Sequence, residues 1–202
     1  MPRATYHHGD LHRALVAVAL ELLQTGGPDA VTLREVARRL EVSPAAIYRH
    51  FADRDALLAE IARVARRELA KRMLDEAERV DATSRRARSV GFLLALGRGY
   101  LRFADEQPNL LATAFLPIAP PDDEPEDPNP WHLLAAALDE LVASGAMPAG
   151  RRTGAEVVAW SAVHGFATLR ANRSFETSGD PEPDPEALLA SIARSLELKP
   201  SG

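Results

Sequence analysis

The sequence predicts an all-α chain of about nine helices. Ala, Leu, Arg and Glu are abundant, while the β-branched alternation that marks strands is scarce. Glycine and proline fall mainly between apolar-periodic stretches, where they punctuate helices. Helix-start residues recur at the expected places, as in Thr32 with Glu35 three residues later and Ser43 followed by Pro44.

In chain order, a first helix is expected from about Asp10 to Leu23, with Leu11, Leu15, Ala19 and Leu22 near one face. Gly26-Gly27-Pro28-Asp29 ends it. A short second helix at about 33–40 follows the capping-box pair Thr32 and Glu35. Glu41-Val42-Ser43-Pro44 breaks the pattern, and a third helix runs to about Phe51. Asp53 caps a long fourth helix reaching about Ala77, burying Leu57, Leu58, Ile61, Ala65, Leu69 and Met73. A fifth helix spans about 83–105 and ends at Gln107-Pro108, with a short sixth at about 109–116. Residues 117–130 (PIAPPDDEPEDPNP) hold six prolines and five acids and read as a loop. The last three helices are expected at about 130–144, 151–172 and 184–198, the final two separated by Ser178-Gly179-Asp180-Pro181.

Composition narrows the function. The chain has 202 residues, 46% of them hydrophobic and 26% charged, which suits a folded globular protein with a sizeable core. Cysteine is absent, so disulfides, thiolate metal sites and a cysteine nucleophile are excluded, and a cytoplasmic setting is compatible. No apolar run is long enough for a membrane span, and the opening residues do not read as a signal peptide. The net charge of −5 is unevenly spread: residues 1–72 carry +3 and the remainder −8. Four of the six histidines (His7, His8, His12 and His50) also lie in the positive part. Local field, more than total charge, governs attraction to phosphate.

Residues 32–50 form the pattern that carries chemistry. A helix-turn-helix needs a small residue where two short helices touch, apolar residues closing their corner, and a tight turn. Ala37 supplies the first, and Val36, Leu40, Val42 and Ile47 the second. The helix beginning at Ser43-Pro44 presents Ala45 and Ala46, followed by Tyr48. Small side chains let a helix enter the major groove, where alanine methyls meet thymine methyls. Thr32 offers a hydroxyl and free N–H groups at a helix start, where phosphate binds. Arg34, Ser43, Pro44, Arg49, His50 and Arg54 complete the candidate DNA-contacting set, chiefly toward the phosphate backbone.

The run from Thr32 to Phe51 (TLREVARRLEVSPAAIYRHF) resembles the DNA-binding signature of the tetracycline-repressor-like (TetR/AcrR) family. Its Ile-Tyr-x-His-Phe ending, the Arg54-Asp55 and Leu57-Leu58 that follow, and the opening Tyr6-His7-His8-Gly9-Asp10 share that likeness. Close similarity covers about 55 residues. Two positions depart from the family pattern. Glu41 stands in the turn where glycine is frequent, at a cost of about 1 kcal/mol if its φ is positive. Arg54 replaces a common lysine, keeping charge but not contact geometry.

The resemblance implies a helix-turn-helix DNA-binding domain over residues 1–54 and a helical ligand-binding and dimerisation domain over residues 55–202. It implies a regulator, by default a repressor, that binds a palindromic operator as a homodimer and is released by a small-molecule effector. No cofactor is implied. The sequence adds mechanical support. The 151–172 helix is apolar around much of its circumference: Val157, Trp160, His164 and Ala167 share one face, while Ala162, Gly165, Phe166 and Leu169 lie toward another. The final helix carries Leu188, Leu189, Ile192 and Leu196 at helical spacing. The expected dimer contacts are Ala162, Gly165, Phe166, Leu169, Leu188, Ile192 and Leu196, forming a four-helix interface. Candidate effector-binding residues are Phe92, Tyr100, Phe103, Phe115, Trp131, Trp160 and His164. Trp160, His164 and Gly165 also resemble a Trp-x-x-x-His-Gly signature found in some C-terminal domains of the family.

Other readings rank lower. No GxGxxG, phosphate-binding loop or nucleophile elbow appears, which disfavours an enzyme. His8 and His12 have i, i+4 metal-ligand spacing, but the glutamate expected after the first is absent, so no metal site is assigned. The main rival is a DNA-binding regulator answering to a protein partner, with the acidic 117–130 segment as a docking element.

Overall fold

A computed structural model describes residues 8–118, 128–176 and 182–199, the side chains from Leu11 onward. Among these residues every regular element is helical: α1 (His8–Ala30), α2 (Leu33–Arg39), α3 (Pro44–Ile47), α4 (Arg54–Ala77), α5 (Arg85–Glu106), α6 (Pro108–Ala114), α7 (Pro130–Ala143), α8 (Ala155–Ala171) and α9 (Pro185–Ser195), with a 3₁₀ turn at Ala149–Arg151. Most of the 117–130 segment and the Ser178–Pro181 turn lie outside the described residues, as do Tyr6 and His7 and the side chain of His8.

The boundaries differ from expectation where local signals compete. α1 runs past Leu23 because the helix tolerates Gly26. The break comes at Gly27 (φ 70°, ψ −175°), followed by Pro28 restarting a final turn. α3 stops at Ile47 rather than Phe51, with residues 48–50 continuing as turns in which Phe51 N–H still donates to Ile47 C=O at 3.0 Å. α8 begins at Ala155 instead of 151, because Gly154 adopts φ 78° and the preceding residues wind as a 3₁₀ turn.

Packing divides the described residues into two units: residues 8–66 with 109–118, and residues 67–108 with 128–176 and 182–199. This packing division falls inside α4, between Arg66 and Arg67, whereas the domain boundary expected from the sequence lies at 54/55, at the start of that helix.

In the first unit, α1 packs on α2 and α2 on α3. Leu15, Ala19, Leu22 and Leu23 of α1, Val36 and Ala37 of α2, Ile47 of α3 and Leu57, Leu58 and Ile61 of α4 are buried. Leu40 and Val42 are half-buried at the corner. Segment 109–118 is fastened by side-chain amide and guanidinium groups. Asn109 donates to Leu23 C=O at 3.1 Å, and Arg66 donates to Ala114 C=O at 2.7 Å. Both bonds satisfy carbonyls near helix ends, which otherwise lack intrahelical partners.

In the second unit α5 is the central helix, packed by α7, α8 and α9, while α7 and α9 also pack on α8. Leu93, Leu96, Tyr100, Phe103, Leu138, Leu141, Val163 and Phe166 are buried in its core. Gly99 marks the tightest approach to α4: a Cβ there would lie 2.6 Å from Met73 Cα and 2.7 Å from the Arg72 carbonyl oxygen. No helix is long and apolar enough among the described residues to cross a membrane.

Candidate functional site

The turn between α2 and α3 is closed by main-chain bonds. Val42 N–H donates to Ala37 C=O at 3.0 Å, and Glu41 N–H to Arg38 C=O at 3.2 Å. Glu41 carries φ 54°, so the residue standing where glycine is frequent does adopt the left-handed region. Ser43 caps α3 by accepting Ala46 N–H at 3.2 Å, and Thr32 caps α2 by accepting Glu35 N–H at 3.2 Å. These caps fix the two short helices, neither of which is long enough to be stable alone.

Ala37 and Ile47 point into the corner, while Ser43, Pro44, Ala45, Tyr48 and Arg49 are exposed and Ala46 is half-buried. Tyr48 is 59% exposed, a large aromatic left outside the core. Thr32 and Arg34 are exposed on α2. His50 is half-buried, its ring 5.8 Å from that of His12, which in turn stacks on Phe51 at 5.0 Å. Glu35 is gripped by Arg38 and also meets Arg39. The Arg38 hydrogen bonds hold the Glu35 carboxyl down at about 2.

One residue of the expected DNA set also has a local structural role. Arg54 donates Nε to Val31 C=O at 2.8 Å and Nη2 to Pro28 C=O at 2.7 Å, tying the start of α4 to the last turn of α1 and the link to α2. Sequence reading could register its charge but not its acceptors, which lie over twenty residues earlier in the chain.

The second unit contains a small cavity, about 40 Å³, lined by residues of α4, α5, α7, α8 and α9. Of the expected effector residues only Tyr100 and Trp160 line it, and His164 joins them through a 2.7 Å hydrogen bond between Tyr100 Oη and its Nδ1. Burial pushes the Tyr100 hydroxyl well above its ordinary range and the His164 imidazole below its own. Trp160 packs edge-on against Tyr100 (5.6 Å between ring centres) and against Trp131 (5.5 Å), which is 40% exposed.

Three expected effector residues do not join this group. Phe92 lines a separate open groove with Arg85, Arg88, Leu133 and Glu140. Phe103 is core without reaching the cavity, and Phe115 belongs to the first unit. Aliphatic lining residues such as Leu93, Leu134, Leu189 and Ile192 were missed because a core leucine and a pocket leucine have the same sequence pattern.

The expected dimer residues divide between inward and outward faces. Phe166, Ile192 and Leu196 are buried within the single chain, on the inward faces of α8 and α9. Helical spacing gave the apolar stripe but not which side of a nearly all-round apolar helix faces out. The outward side of α8 carries the expected Leu169 (45% exposed), with Ala162 half-buried and open space around Gly165, and adds Val158 (49%). Leu188 is half-buried on α9. Among the described residues no cluster of three or more His, Cys, Asp or Glu side chains could hold a metal ion.

A capped two-helix corner with an outward small-residue face, followed by a separate helical unit, defines a helix-turn-helix transcription regulator rather than an enzyme. Residues 15–61 match the family model for bacterial regulatory proteins of the tetR family, and residues 93–196 match the tetracyclin repressor-like C-terminal domain. The chain belongs to the TetR family of transcription regulators. It is 25% identical over 194 residues to the uncharacterized HTH-type transcriptional regulator YobS of Bacillus subtilis strain 168, covering 96% of this chain and 93% of that protein. A protein of unknown function from Rhodococcus sp. RHA1 is similar in structure, with 28% identity, a TM-score of 0.70 and coverage of 96% and 98% of the two chains. A variant TetR from Acinetobacter baumannii AYE, solved in complex with minocycline, shares the fold at 21% identity, TM-score 0.61, and 92% and 90% coverage.

Proposed function

We propose that this regulator is an effector-responsive repressor that binds a palindromic operator as a homodimer. The outward row on α3 and its C-cap carries the DNA-binding part of the reading. Ala45, Ala46 and Tyr48 meet base edges and backbone in the major groove, while Thr32, Arg34, Ser43, Pro44, Arg49 and His50 border it. Arg54 serves this interface by holding the start of α4 in place. A second copy covers the outward apolar side of α8 (Val158, Ala162, Gly165 and Leu169) together with Leu188 of α9.

At about 40 Å³ the cavity is smaller than an effector, so an effector mechanism requires it to expand. An apolar cavity of roughly 150 Å³ is needed to hold benzene, so a drug-sized molecule enters only if the helices around it move apart. A ligand that binds only the expanded form shifts the population toward that form by its differential affinity. α4 connects the two events along the chain: its Met73 lines the cavity and its first residue is the pinned Arg54. Minocycline binding by the Acinetobacter TetR variant is a precedent within the fold.

Selection of bound sequences from random duplexes, followed by screening small molecules for release of the enriched duplex, tests the reading. An enriched palindrome and at least one releasing compound are expected. Absence of any enriched sequence removes the operator, and failure of every bound ligand to alter DNA affinity removes the effector.

A further inference from the structure

We propose that the cavity in the second unit takes an uncharged, largely apolar ligand carrying one hydrogen-bonding group, and that the Tyr100–His164 pair reads that group. The proposal rests on the effector reading above and narrows its ligand class.

Among the described residues, none that lines the cavity is charged. Its walls are aliphatic and aromatic, among them Leu93, Leu134, Leu189 and Ile192. An ionised ligand would enter without a counter-charge, which is strongly unfavourable in an apolar interior. Tyr100 contributes the one side-chain oxygen among the described lining residues. Its hydroxyl is held 2.7 Å from His164 Nδ1, so it is already oriented when a ligand arrives.

The pair has no formal charge near neutral pH, since burial keeps the phenol protonated and disfavours the imidazolium. It also reads either hydrogen-bond sense. With the phenol donating to Nδ1, its oxygen accepts from a ligand O–H or N–H. With Nδ1–H donating to the phenol, the Tyr100 O–H turns to a ligand carbonyl or hydroxyl oxygen. Aromatic surface continues outward from this point. Trp160 touches Tyr100 on one side and the exposed Trp131 on the other, both edge-on, a surface that suits a flat ring.

Leu189 limits the space. A Cβ placed on Gly97 would lie 2.5 Å from Leu189 Cδ2, so α9 presses on α5 through this side chain at the cavity wall. Its removal enlarges the site without touching the hydrogen-bonding pair.

Toluene, p-cresol and p-toluate share one ring and differ in the group opposite the methyl. Their binding to the free full-length chain is measured through the fluorescence of its two tryptophans, Trp131 and Trp160, for wild type, Leu189→Ala and Tyr100→Phe. Wild type or Leu189→Ala should bind p-cresol at least tenfold more tightly than p-toluate and more tightly than toluene. Leu189→Ala should strengthen both neutral probes severalfold. Tyr100→Phe should bring p-cresol down to the level of toluene while leaving toluene unchanged. The proposal is overturned if p-toluate equals or exceeds p-cresol, if Tyr100→Phe leaves the cresol-to-toluene ratio intact, or if neither neutral probe binds wild type or Leu189→Ala. DNA is absent from these measurements. Binding as expected without release of the operator by any cavity ligand would therefore count against the effector role alone. Operator release by a charged cavity ligand would instead count against the ligand class alone.

Discussion

The guanidinium of Arg54 is bonded to the carbonyl of Val31, Nε to oxygen at 2.8 Å, and its Nη2 reaches the Pro28 carbonyl beside it. This planar, two-pronged contact makes Arg54 a strut of the DNA-binding unit. Lysine presents a point charge without the fork. Arg54→Lys should therefore lower stability by about 1.5–3 kcal/mol, the worth of a hydrogen bond from a charged group, and weaken DNA binding although the charge is kept. Urea denaturation and duplex titration of the same variant check this. Unchanged stability with unchanged DNA affinity would contradict it.

Tyr48 and Thr32 should separate two kinds of defect. Tyr48 is mostly exposed, so Tyr48→Ala should reduce operator affinity roughly tenfold or more with unfolding unchanged within about 0.5 kcal/mol. Thr32→Ala loses the cap on α2 and should cost about 1 kcal/mol in addition to its effect on DNA. Thermal unfolding alongside gel-shift titration distinguishes them. Binding of the wild type should also fall steeply with salt as phosphate counterions are released.

Glu41 offers a test of backbone strain. With φ at 54°, Glu41→Gly should raise stability by up to about 1 kcal/mol, because glycine enters the left-handed region without a Cβ clash. A shift of the denaturation midpoint to higher urea with unchanged slope is the expected record.

The two faces of the last helices should respond differently to charge. Ile192→Asp places a carboxylate in the core of the second unit and should unfold it. Leu169→Asp or Val158→Asp should leave the helical signal intact and abolish the proposed homodimer. Sedimentation velocity with circular dichroism reads both. A folded dimer in all three variants would mean the interface lies elsewhere.

His164 gives a pH dependence of defined sign. Its folded-state affinity for protons is lowered by burial from the ordinary 6.5, so the unfolded chain takes up a proton first as pH falls. Its contribution to stability is complete above about 6.5 and is lost as pH drops toward the lowered folded value. His164→Gln should flatten the stability profile in that window, as measured by denaturant titrations from pH 8 to 5.

Much of the fold was legible because helix signals are local. The caps Thr32, Ser43 and Asp53, the breaker Gly27-Pro28 and the buried stripe of α4 from Leu57 to Met73 can each be read within a few residues. The outward placement of Ala45 and Tyr48 followed from the same short-range logic. Facts that depend on distant partners were not legible. Arg54 finds acceptors on a different segment, Phe92 and Tyr100 lie on one helix but line different hollows, and Ile192 turns inward on a helix whose apolar spacing fits either side. The Tyr100–His164 bond joins residues 64 apart, beyond any periodicity argument.

The most direct test of the account replaces Ala45 by glutamate and measures affinity for the selected duplex. Ala45 is exposed in the first turn of α3, where a carboxylate favours the helix, so folding and dimerisation should survive. Set against the negative potential of the groove, the same carboxylate should weaken binding by more than a hundredfold. A folded, dimeric Ala45→Glu protein that binds the duplex as well as wild type would show that this face of α3 does not meet DNA.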